Sequence, residues 1–496
     1  MDIATAQRKI DEAVEVAKKV FMQGKIIDTK ILCTQILKCD EEEPHALQLM
    51  ALAEHRSGRY NEAIQIFRRL IRQDETNPDN HNNIALSYSC VNQLDKSIAH
   101  LNKAIELRPD AGCFHSNIGL QYRNKKDYDS AIKAFIKATE ILPEDVQAWN
   151  NLGACLAEMK RLPESEKAFR KAIELNPDSA MSHVDLAYNL QTQERWQEAW
   201  EHYDYRFDHF NQLQFYKTVY DQKKKWTGAE DVKGKRFLLF CEQGLGDAIM
   251  FGRYIKYIKS LGAHVLLHCY DTIEAIMKNV DGVDEITTAK IHEQEPLPEY
   301  DFHASVMSLP LLLKKYEPFY EPYFSYKKAA NLTNYADTFN IGVIWAGSPL
   351  HPEDCHRSCY LREFQPICDV PGVKLFSLQK DCRPRQYRYN QQVVDFTEGS
   401  EGMRVIDATE FISDFEDVAM FLNSLDLLVS VDTAPVHLAG AMEKPVFMAV
   451  AYNNDPRWGS KDTTEWYPTV RVFRQKERGN WKEVFERIAN EIRNLL

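Results

Sequence analysis

Small and large apolar residues recur with a period of 34 residues over positions 1–207, and this period restricts the fold more than any other feature. The small residues at this step are Ala63, Ser97, Ala131, Ser165 and Ala199. The larger ones are Phe67, Leu101, Phe135, Phe169 and Tyr203. Successive units end at Pro109, Pro143 and Pro177. Small residues let two helices approach closely, and apolar residues spaced three and four apart form one helix face. The pattern predicts about six helix pairs stacked as an α-solenoid over residues 1–207.

The period and the W-x2-L-G…A-x3-F…P pattern resemble the tetratricopeptide repeat, whose units stack into a superhelix with a concave face. One polar column keeps the same step on the predicted inner face: Asn83, Asn117, Asn151 and Asp185. An asparagine amide both donates and accepts hydrogen bonds, so the column predicts a groove for an extended peptide. It is similar to the asparagine ladder of eukaryotic O-GlcNAc transferase. The alternative is local packing, because asparagine is common at this position of the repeat.

The repeat period fades after residue 206, and the polar, aromatic stretch 208–233 predicts a connector. Short apolar runs then alternate with amphipathic stretches, which indicates parallel sheets with helices on both faces. We expect an α + α/β chain with two Rossmann-like lobes, at 234–328 and 341–496, joined by a linker at 329–340. The predicted strands are 237–241, 265–269, 341–345, 373–378, 405–407, 427–431 and 446–450, and the predicted helices are 248–260, 415–425, 434–442 and 481–496.

The composition argues against several classes of protein. The chain has 61 Lys+Arg against 73 Asp+Glu, and its net charge of −12 disfavours a broad nucleic-acid surface. We expect no transmembrane segment, because no stretch approaches the roughly 18 uninterrupted apolar residues of a span, and no secretory signal, because the N-terminus is charged. The 11 cysteines are scattered, and the close pair Cys355 and Cys359 lacks the second pair that a zinc site needs. The sequence predicts a reduced, cytoplasmic protein without a structural metal.

The first candidate turn, Gln243, Gly244, Gly246 and Asp247, follows the first predicted strand of the α/β part. Ligands bind open α/β sheets beyond the carboxyl ends of the strands. The glycines allow a tight turn and a close approach of another molecule's backbone or sugar. Asp247 is either a general base or the N-terminal cap of the next helix, and the spacing favours neither role.

The second candidate turn contains Asp432, Thr433, Ala434 and His437, between a strand and a helix. Backbone N–H groups at a helix start, together with the Thr433 hydroxyl, suit a phosphate. Asp432 is better assigned to orienting the loop or binding sugar hydroxyls, because its charge repels a phosphate. The alternative is an aspartate cap followed by a core histidine.

The third candidate turn follows the strand predicted at 341–345 and contains Gly347 and Ser348, with Arg357 beyond an insertion. Ser348 is a candidate ligand for a phosphate oxygen, and Arg357 for a bidentate contact with a pyrophosphate. His351, Cys355 and His356 in the insertion suggest a metal by residue type, but the strand-loop pattern gives no reason for one.

The motifs that carry these turns resemble, in sequence order, those of bacterial repeat-containing glycosyltransferases related to the ADP-heptose heptosyltransferases (glycosyltransferase family 9), which have the GT-B fold. They are GLGDAIMFGRYIKYIK, PLPEYDFHASVMSLP, IGVIWAGSP, HRSCYLREFQPI, GVKLFSLQK, which contains Gln379, and SVDTAPVHLAGAMEKPV. The resemblance covers essentially the entire chain. It implies that the lobe at 341–496 holds a nucleotide-sugar donor and that the lobe at 234–328 presents the acceptor.

The same resemblance implies a role for each candidate residue. Asp247 matches the position proposed as catalytic base, and Asp432, Thr433 and His437 match the donor motif. Gly347, Ser348, Arg357, Gln379 and Ala434 fall on the donor side, with Arg357 where the family has a lysine. The arginine and the insertion before it are departures from the family.

The implied reaction is an inverting, metal-independent transfer of a sugar from a nucleotide-sugar, without a further cofactor, to a protein hydroxyl. The repeats would recruit the acceptor, as in enzymes that fuse this repeat to a GT-B core. Two alternatives stay open: the acceptor is a surface glycan or a small molecule, or the chain is an inactive repeat scaffold.

Overall fold

A computed structural model describes residues 3–288, 297–348, 354–380, 385–386, 393–394 and 397–496. The chain divides into two compact units, Met1–Asp185 and Leu186–Leu496. The sequence analysis placed the end of the repeats at residue 207, so the last repeat helix lies in the second unit. Trp200 and Tyr203 of that helix explain the difference, because both side chains are buried in the hydrophobic core of the α/β part.

The first unit is a series of helix pairs. Consecutive helices pack against each other from the first to the tenth, and the first helices of successive pairs are also in contact up to the ninth helix. The helices are α1 (Ile3–Met22), α2 (Ile26–Leu37), α3 (Pro44–Arg56), α4 (Tyr60–Gln73), α5 (Pro78–Cys90), α6 (Leu94–Leu107), α7 (Gly112–Asn124), α8 (Tyr128–Ile141), α9 (Val146–Glu158), α10 (Leu162–Leu175) and α11 (Ala180–Thr192), which crosses the unit boundary.

Each pair turns at a residue with a left-handed backbone, and these residues also recur every 34 positions. Their φ angles are 74° at Gly24, 75° at Gly58, 57° at Asn92, 62° at Lys126, 57° at Lys160 and 59° at Glu194. A left-handed residue after a helix lets the last carbonyls of the helix find N–H partners. The lysines and Glu194 hold a conformation that costs a non-glycine residue about 1–2 kcal/mol. Six such turns each lie between the two helices of one pair.

The small residues of the repeat lie where helices approach closely, as predicted. A Cβ atom on Gly153 would lie 2.6 Å from a ring carbon of Phe169, and one on Gly119 would lie 2.9 Å from the ring of Phe135. Both aromatic side chains are buried. The Ser165 hydroxyl donates to the Gly153 carbonyl at 2.8 Å, so a polar small residue is also satisfied in this position.

The second unit begins with four short helices, α12 (Trp196–Tyr203), α13 (Arg206–His209), α14 (Asn211–Gln214) and α15 (Tyr216–Val219). A four-stranded parallel sheet in the order β3-β2-β1-β4 follows. Its strands are β1 (Arg236–Phe240), β2 (His264–Cys269), β3 (Glu285–Thr288) and β4 (Phe302–Ser305), and its helices are α16 (Leu245–Phe251), α17 (Ile255–Ser260), α18 (Glu274–Met277) and α19 (Leu309–Leu312).

A second sheet has the order β12-β13-β11-β10-β5-β6-β9, and β12 alone among its described strands runs antiparallel to its neighbour. β7 and β8 form a separate two-stranded ribbon. The strands are β5 (Phe339–Ile344), β6 (Val373–Ser377), β7 (Arg385–Gln386), β8 (Val393–Val394), β9 (Val405–Asp407), β10 (Leu427–Val431), β11 (Val446–Val450), β12 (Thr463–Thr464) and β13 (Tyr467–Arg474). The helices are α20 (Asp354–Arg357), α21 (Gln365–Cys368), α22 (Phe415–Ser424), α23 (Ala434–Ala441) and α24 (Trp481–Leu495).

All seven predicted strands are present, with ends within about two residues of those predicted, the usual uncertainty of element boundaries. The helix predicted at 248–260 is divided into α16 and α17 by a 3₁₀ turn at Gly252–Tyr254. The longest strand without a prediction is β13, in which four of the eight residues are buried without a regular alternation. Among the described residues, no helix combines the length and the apolar character that crossing a bilayer requires.

Candidate functional site

The loops after β1 and β10 meet because the helices that follow them, α16 and α23, pack against each other. Gly246 makes this contact possible. A Cβ atom on Gly246 would lie 2.6 Å from Cδ2 of His437 and 3.4 Å from Cα of Ala434, whereas carbon atoms in normal contact lie about 3.5–4.0 Å apart. Gly246 therefore serves helix packing between the two sheets.

Asp247 lies in the first turn of α16, and both of its carboxylate oxygens are engaged. The backbone N–H of Gly244 donates to Oδ2 at 3.0 Å, and the guanidinium of Arg457 donates to Oδ1. The first contact satisfies one N–H group at the start of the helix, so Asp247 has part of the capping role that the sequence allowed. The second pairs it with a cation, and its side chain keeps 14% of its surface exposed.

Arg457 follows β11 and joins the two sheets by linking Asp247 to Asp455. Its Nε donates to Asp455 Oδ1 at 3.0 Å, and its Nη2 also binds Asp455. Burial disfavours the charged forms of Asp455 and Arg457, but the attraction between them outweighs this cost. The attraction lowers the pKa of Asp455, and with the further attraction of Asp247 it raises the pKa of Arg457. The sequence analysis missed Arg457 and Asp455, because neither lies at a strand-to-helix turn with glycine or threonine.

Three tyrosine hydroxyls lie around the loop that precedes Asp247. Tyr203 donates to Oε1 of Gln243 at 3.1 Å, Tyr270 donates to the Gln243 carbonyl at 2.7 Å, and Tyr216 donates to the Cys241 carbonyl at 3.4 Å. Gln243 has a φ of 61°, a left-handed conformation that is uncommon for a side chain other than glycine. The loop is therefore held in one conformation by three separate elements. Gly244, the next residue, is exposed.

Asp432 and Thr433 link β10 to α23. Thr433 is buried, and its hydroxyl bonds to the Ser430 hydroxyl at 3.0 Å and to the Val431 carbonyl at 3.2 Å, so it faces the end of its own strand. Asp432 keeps part of its surface exposed. Desolvation of the carboxyl, reinforced by the nearby charge of Asp455, raises the pKa of Asp432 to about 6.

His437 is buried in the contact between α16 and α23. Its ring stacks on Trp458 with centroids 5.0 Å apart, and its Nδ1 lies 3.3 Å from the Tyr467 hydroxyl. Burial, followed by the charge of Arg457, lowers the pKa of His437 to about 3, so the imidazole is neutral at neutral pH. The core-histidine alternative accounts for these contacts. A role toward a donor stays a prediction.

The third turn is built around a buried carboxylate. Asp354 accepts from the Ser358 hydroxyl at 2.9 Å and from Nε of Arg357 at 3.4 Å, and the Gly347 N–H donates to the Ser358 hydroxyl at 3.0 Å. A Cβ atom on Gly347 would lie 2.5 Å from the Arg357 guanidinium, so a larger residue here would displace the Arg357 side chain. Arg357 keeps 25% of its side chain exposed.

Gln379 holds the same turn from the neighbouring strand. Its Oε1 accepts from the backbone N–H groups of Trp345 and Ala346, at 3.1 and 2.8 Å. Gln379 thus orients the loop that carries Ser348, which is exposed. His351 lies outside the described residues, as does the side chain of Cys355, and His356 is exposed.

The polar column of the first unit is not uniform. Asn83, Asn117 and Asp185 are half-buried, whereas Asn151 is 4% exposed and its Oδ1 accepts from Arg123 at 3.1 Å. The Asn117 amide donates at 2.7 Å to the residue before Asn83, so part of the column links successive repeats. Peptide recognition by the column stays a prediction.

Tetratricopeptide-repeat models match four consecutive segments: 46–80, 78–111, 114–145 and 146–179. The chain therefore contains tetratricopeptide repeats, and such arrays provide extended surfaces for binding proteins. Protein FlbA of Caulobacter vibrioides is 25% identical over 324 residues, which are 60% of this chain and 52% of FlbA. The chain thus spans about half the length of this relative.

Three solved structures are similar to part of the chain. MamA is 22% identical, with a TM-score of 0.31, over 33% of this chain and 96% of MamA. YrrB, described as a tetratricopeptide-repeat protein with an unusual peptide-binding site, is 19% identical, with a TM-score of 0.31, over 36% of this chain and 95% of YrrB. PilF of Pseudomonas aeruginosa is 14% identical, with a TM-score of 0.38, over 44% of this chain and 100% of PilF.

Proposed function

We propose that the chain is a glycosyltransferase with a GT-B catalytic region, which moves a sugar from a nucleotide-sugar to a protein hydroxyl. The observation that carries this proposal is the ion pair between Asp247, after the first strand of one parallel sheet, and Arg457, after β11 of the other. It joins a candidate base and a candidate diphosphate ligand at the carboxyl ends of the strands, where open α/β sheets bind ligands.

The donor diphosphate would bind beside Arg457 and Arg357, which supply two guanidinium groups near Asp432. A guanidinium binds phosphate oxygens in a bidentate manner and stays charged at any physiological pH. The start of α23, with Thr433 before its first residue, adds backbone N–H groups. These groups would stabilise the nucleotide as it leaves with its developing charge, so the mechanism requires no metal.

Asp247 would act as the general base toward the acceptor hydroxyl. The guanidinium of Arg457 pairs with the Asp247 carboxylate through Oδ1. Each carboxylate oxygen keeps a second lone pair to which the acceptor hydroxyl would donate, and the diphosphate would attract the guanidinium away from Asp247. Asp247 then takes the proton on the face of the sugar opposite the leaving nucleotide, which inverts the anomeric carbon.

The repeats support a protein as the acceptor, since four segments match tetratricopeptide-repeat models. A repeat array offers an extended surface that a small acceptor does not need. Asn83 and Asn117 are the half-buried asparagines on this surface that can contact a peptide backbone.

The test is nucleotide release from UDP-, GDP-, ADP- and CMP-sugars, with wild type, Asp247→Asn and the control Asp281→Asn. Asp281 is exposed and far along the chain from the proposed base. We expect one nucleotide-sugar to be turned over, and Asp247→Asn to lose about 10²–10⁴-fold in rate, the usual contribution of a general base. Nucleotide binding and the control should be unaffected. Full turnover by Asp247→Asn would remove Asp247 from the mechanism.

A second candidate is a protein-binding scaffold without catalysis. The contacts of Asp247 with the Gly244 N–H and with Arg457 favour it, because they give the carboxylate a structural role that needs no substrate. The same panel separates the two functions. A scaffold would bind proteins through its repeats and release no nucleotide from any donor.

A further inference from the structure

Arg253 is a buried cation that binds backbone carbonyls from three segments of the α/β unit. It follows α16, and none of its surface is exposed. Its Nε donates to the Met250 carbonyl at 2.8 Å, and its Nη1 donates to the carbonyls of Phe319, at 2.6 Å, and Trp466, at 2.8 Å. Met250 belongs to α16 beside the first sheet, whereas Trp466 immediately precedes β13 of the second sheet. Arg253 therefore joins the helix that carries Asp247 to the second sheet.

Aromatic rings, rather than a carboxylate, surround the charge of Arg253. Its guanidinium carbon lies 4.7 Å from the ring centroid of Tyr467 and 5.1 Å from that of Trp466. Among the residues that the structure describes, its Nη2 is buried without a hydrogen-bond partner. Burying a charge is costly, and an apolar side chain of similar volume is often as stable as a buried ionic group or more stable. Stability alone therefore does not account for an arginine at this position.

Trp466 extends the contact to Arg457. Its side chain is buried, and its indole N–H donates to the Arg457 carbonyl at 2.9 Å. The guanidinium of Arg457 donates in turn to Asp247, which lies three residues before Met250 in α16. The contacts thus form a closed ring of five residues: Arg253, Trp466, Arg457, Asp247 and Met250.

This ring holds both partners of the Asp247–Arg457 pair from behind. Arg253 binds α16, which sets the position of the Asp247 carboxylate, and Trp466 binds the backbone from which the Arg457 side chain extends. The two side chains of the pair keep 14% and 16% of their surface exposed, whereas Arg253 and Trp466 have none. Arg253 and Trp466 cannot contact a ligand, so their influence on one must pass through the pair.

We propose that Arg253 and Trp466 are positioning residues, which set the distance and orientation of Asp247 and Arg457 for the bound donor. This inference rests on the glycosyltransferase function proposed above, to which it adds two residues that act through the candidate base and the candidate diphosphate ligand. Reacting groups must be held within about 0.5 Å of their productive geometry, and a displacement of about 1 Å can cost about 10²-fold in rate. Loss of one contact of the ring should therefore lower turnover even where the protein stays folded.

Trp466→Phe tests this inference, because it removes the indole N–H that binds the Arg457 carbonyl. The matched control is Trp200→Phe: this tryptophan is also buried, and its indole N–H also donates to a backbone carbonyl at 2.9 Å, that of Tyr316, outside the ring. Each variant loses one buried hydrogen bond and part of an aromatic ring, so their thermal midpoints should fall by similar amounts. With the nucleotide-sugar that wild type uses among UDP-, GDP-, ADP- and CMP-sugars, kcat/KM should fall by about 10-fold or more in Trp466→Phe and by less than about 2-fold in Trp200→Phe.

A second readout separates positioning from loss of stability. Lysine at position 457 keeps the charge but lacks the rigid fork of the guanidinium, so there is less for Trp466 to orient. Adding Trp466→Phe to Arg457→Lys should then reduce kcat/KM less than Trp466→Phe reduces it in wild type, whereas independent effects would multiply in full. Arg253→Lys is a further variant that does not change either tryptophan. A single ammonium cannot bind the three carbonyls in the geometry of the guanidinium, so kcat/KM should fall here as well.

The outcomes distinguish this inference from the proposed function. Equal losses of kcat/KM in Trp466→Phe and Trp200→Phe, or losses that multiply in full with Arg457→Lys, would overturn the inference and leave the glycosyltransferase function standing. If wild type turns over no nucleotide-sugar and binds neither UDP, GDP nor ADP, the proposed function fails, and the positioning role fails with it.

Discussion

Gly246→Ala tests the packing that brings the two sheets' loops together. The added methyl would lie 2.6 Å from Cδ2 of His437, about 1 Å closer than a normal carbon contact. His437 cannot move away easily, because it stacks on Trp458 at 5.0 Å and contacts the Tyr467 hydroxyl. Overpacking of this kind costs about 1–3 kcal/mol. α16 must therefore shift from α23, which also displaces Asp247.

Thermal unfolding followed by tryptophan fluorescence measures this cost. Seven of the eight tryptophans lie in the second unit, so the signal reports mainly on that unit. For the unit Leu186–Leu496, with an unfolding entropy of about 2.1 cal/mol/K per residue, the midpoint shifts by about 1.5 °C per kcal/mol and should fall by roughly 1.5–5 °C. Gly252→Ala is the matched control in the same region, because the nearest atoms to its added methyl lie at 3.5 Å or more.

The control should keep the midpoint of wild type. Equal midpoints for Gly246→Ala and wild type would show that α16 and α23 do not approach as closely as the structure has them. An equal fall of the midpoint in Gly252→Ala would show that any methyl group near this helix is costly. The cost could then not be assigned to the contact with His437.

Three further predictions concern other parts of the chain. Glu242→Gln should lower the free energy of unfolding by about 1.5–3 kcal/mol in urea titrations, because it removes one of the two carboxylates paired with the buried Arg206 and leaves Asp204, at 3.1 Å, as the other. Gly153→Ala should destabilise the helical unit by about 1–3 kcal/mol, measured by circular dichroism, because its methyl group meets Phe169 at 2.6 Å. His437→Gln should flatten the pH dependence of stability: the folded pKa of His437 is lowered to about 3, so wild type loses stability as pH falls from about 6.5 toward 3, by up to 1.4 kcal/mol per pH unit.

Each of these predictions has its own control. Glu491→Gln removes a surface partner of Arg471 and should cost less than about 1 kcal/mol. A similar cost for both glutamate variants would contradict the buried-pair argument. Adding Phe169→Leu to Gly153→Ala should restore part of the lost free energy of unfolding. If the losses of the two single variants simply add in the double variant, the contact between these residues is refuted. If His437→Gln keeps the slope of wild type, the histidine is already protonated in the folded protein.

The repeat unit could be predicted closely because one period fixes both its helices and its contacts. The small residues Gly119 and Gly153 meet Phe135 and Phe169 as their spacing indicates. The left-handed turns were not predicted, because Lys126 and other non-glycine residues give no local signal for positive φ. The neighbouring helices impose this conformation.

The candidate site could be predicted only in part. The turns at Asp247 and Asp432 were found, because a buried strand followed by a helix start is visible in the sequence. Arg457 was missed, because its importance comes from a partner 210 positions away, which no local pattern reports. The sequence could not predict whether His437 is buried for the same reason, because its neighbour Trp458 comes from another loop.

The most direct test of the central proposal is a crystal structure of the full chain soaked separately with UDP, GDP and ADP. The account predicts that one of them binds with its diphosphate in contact with Arg457 and beside the 432–437 turn, with the Arg457 guanidinium drawn away from Asp247. A nucleotide bound at another place, or no binding of any of the three, would contradict it.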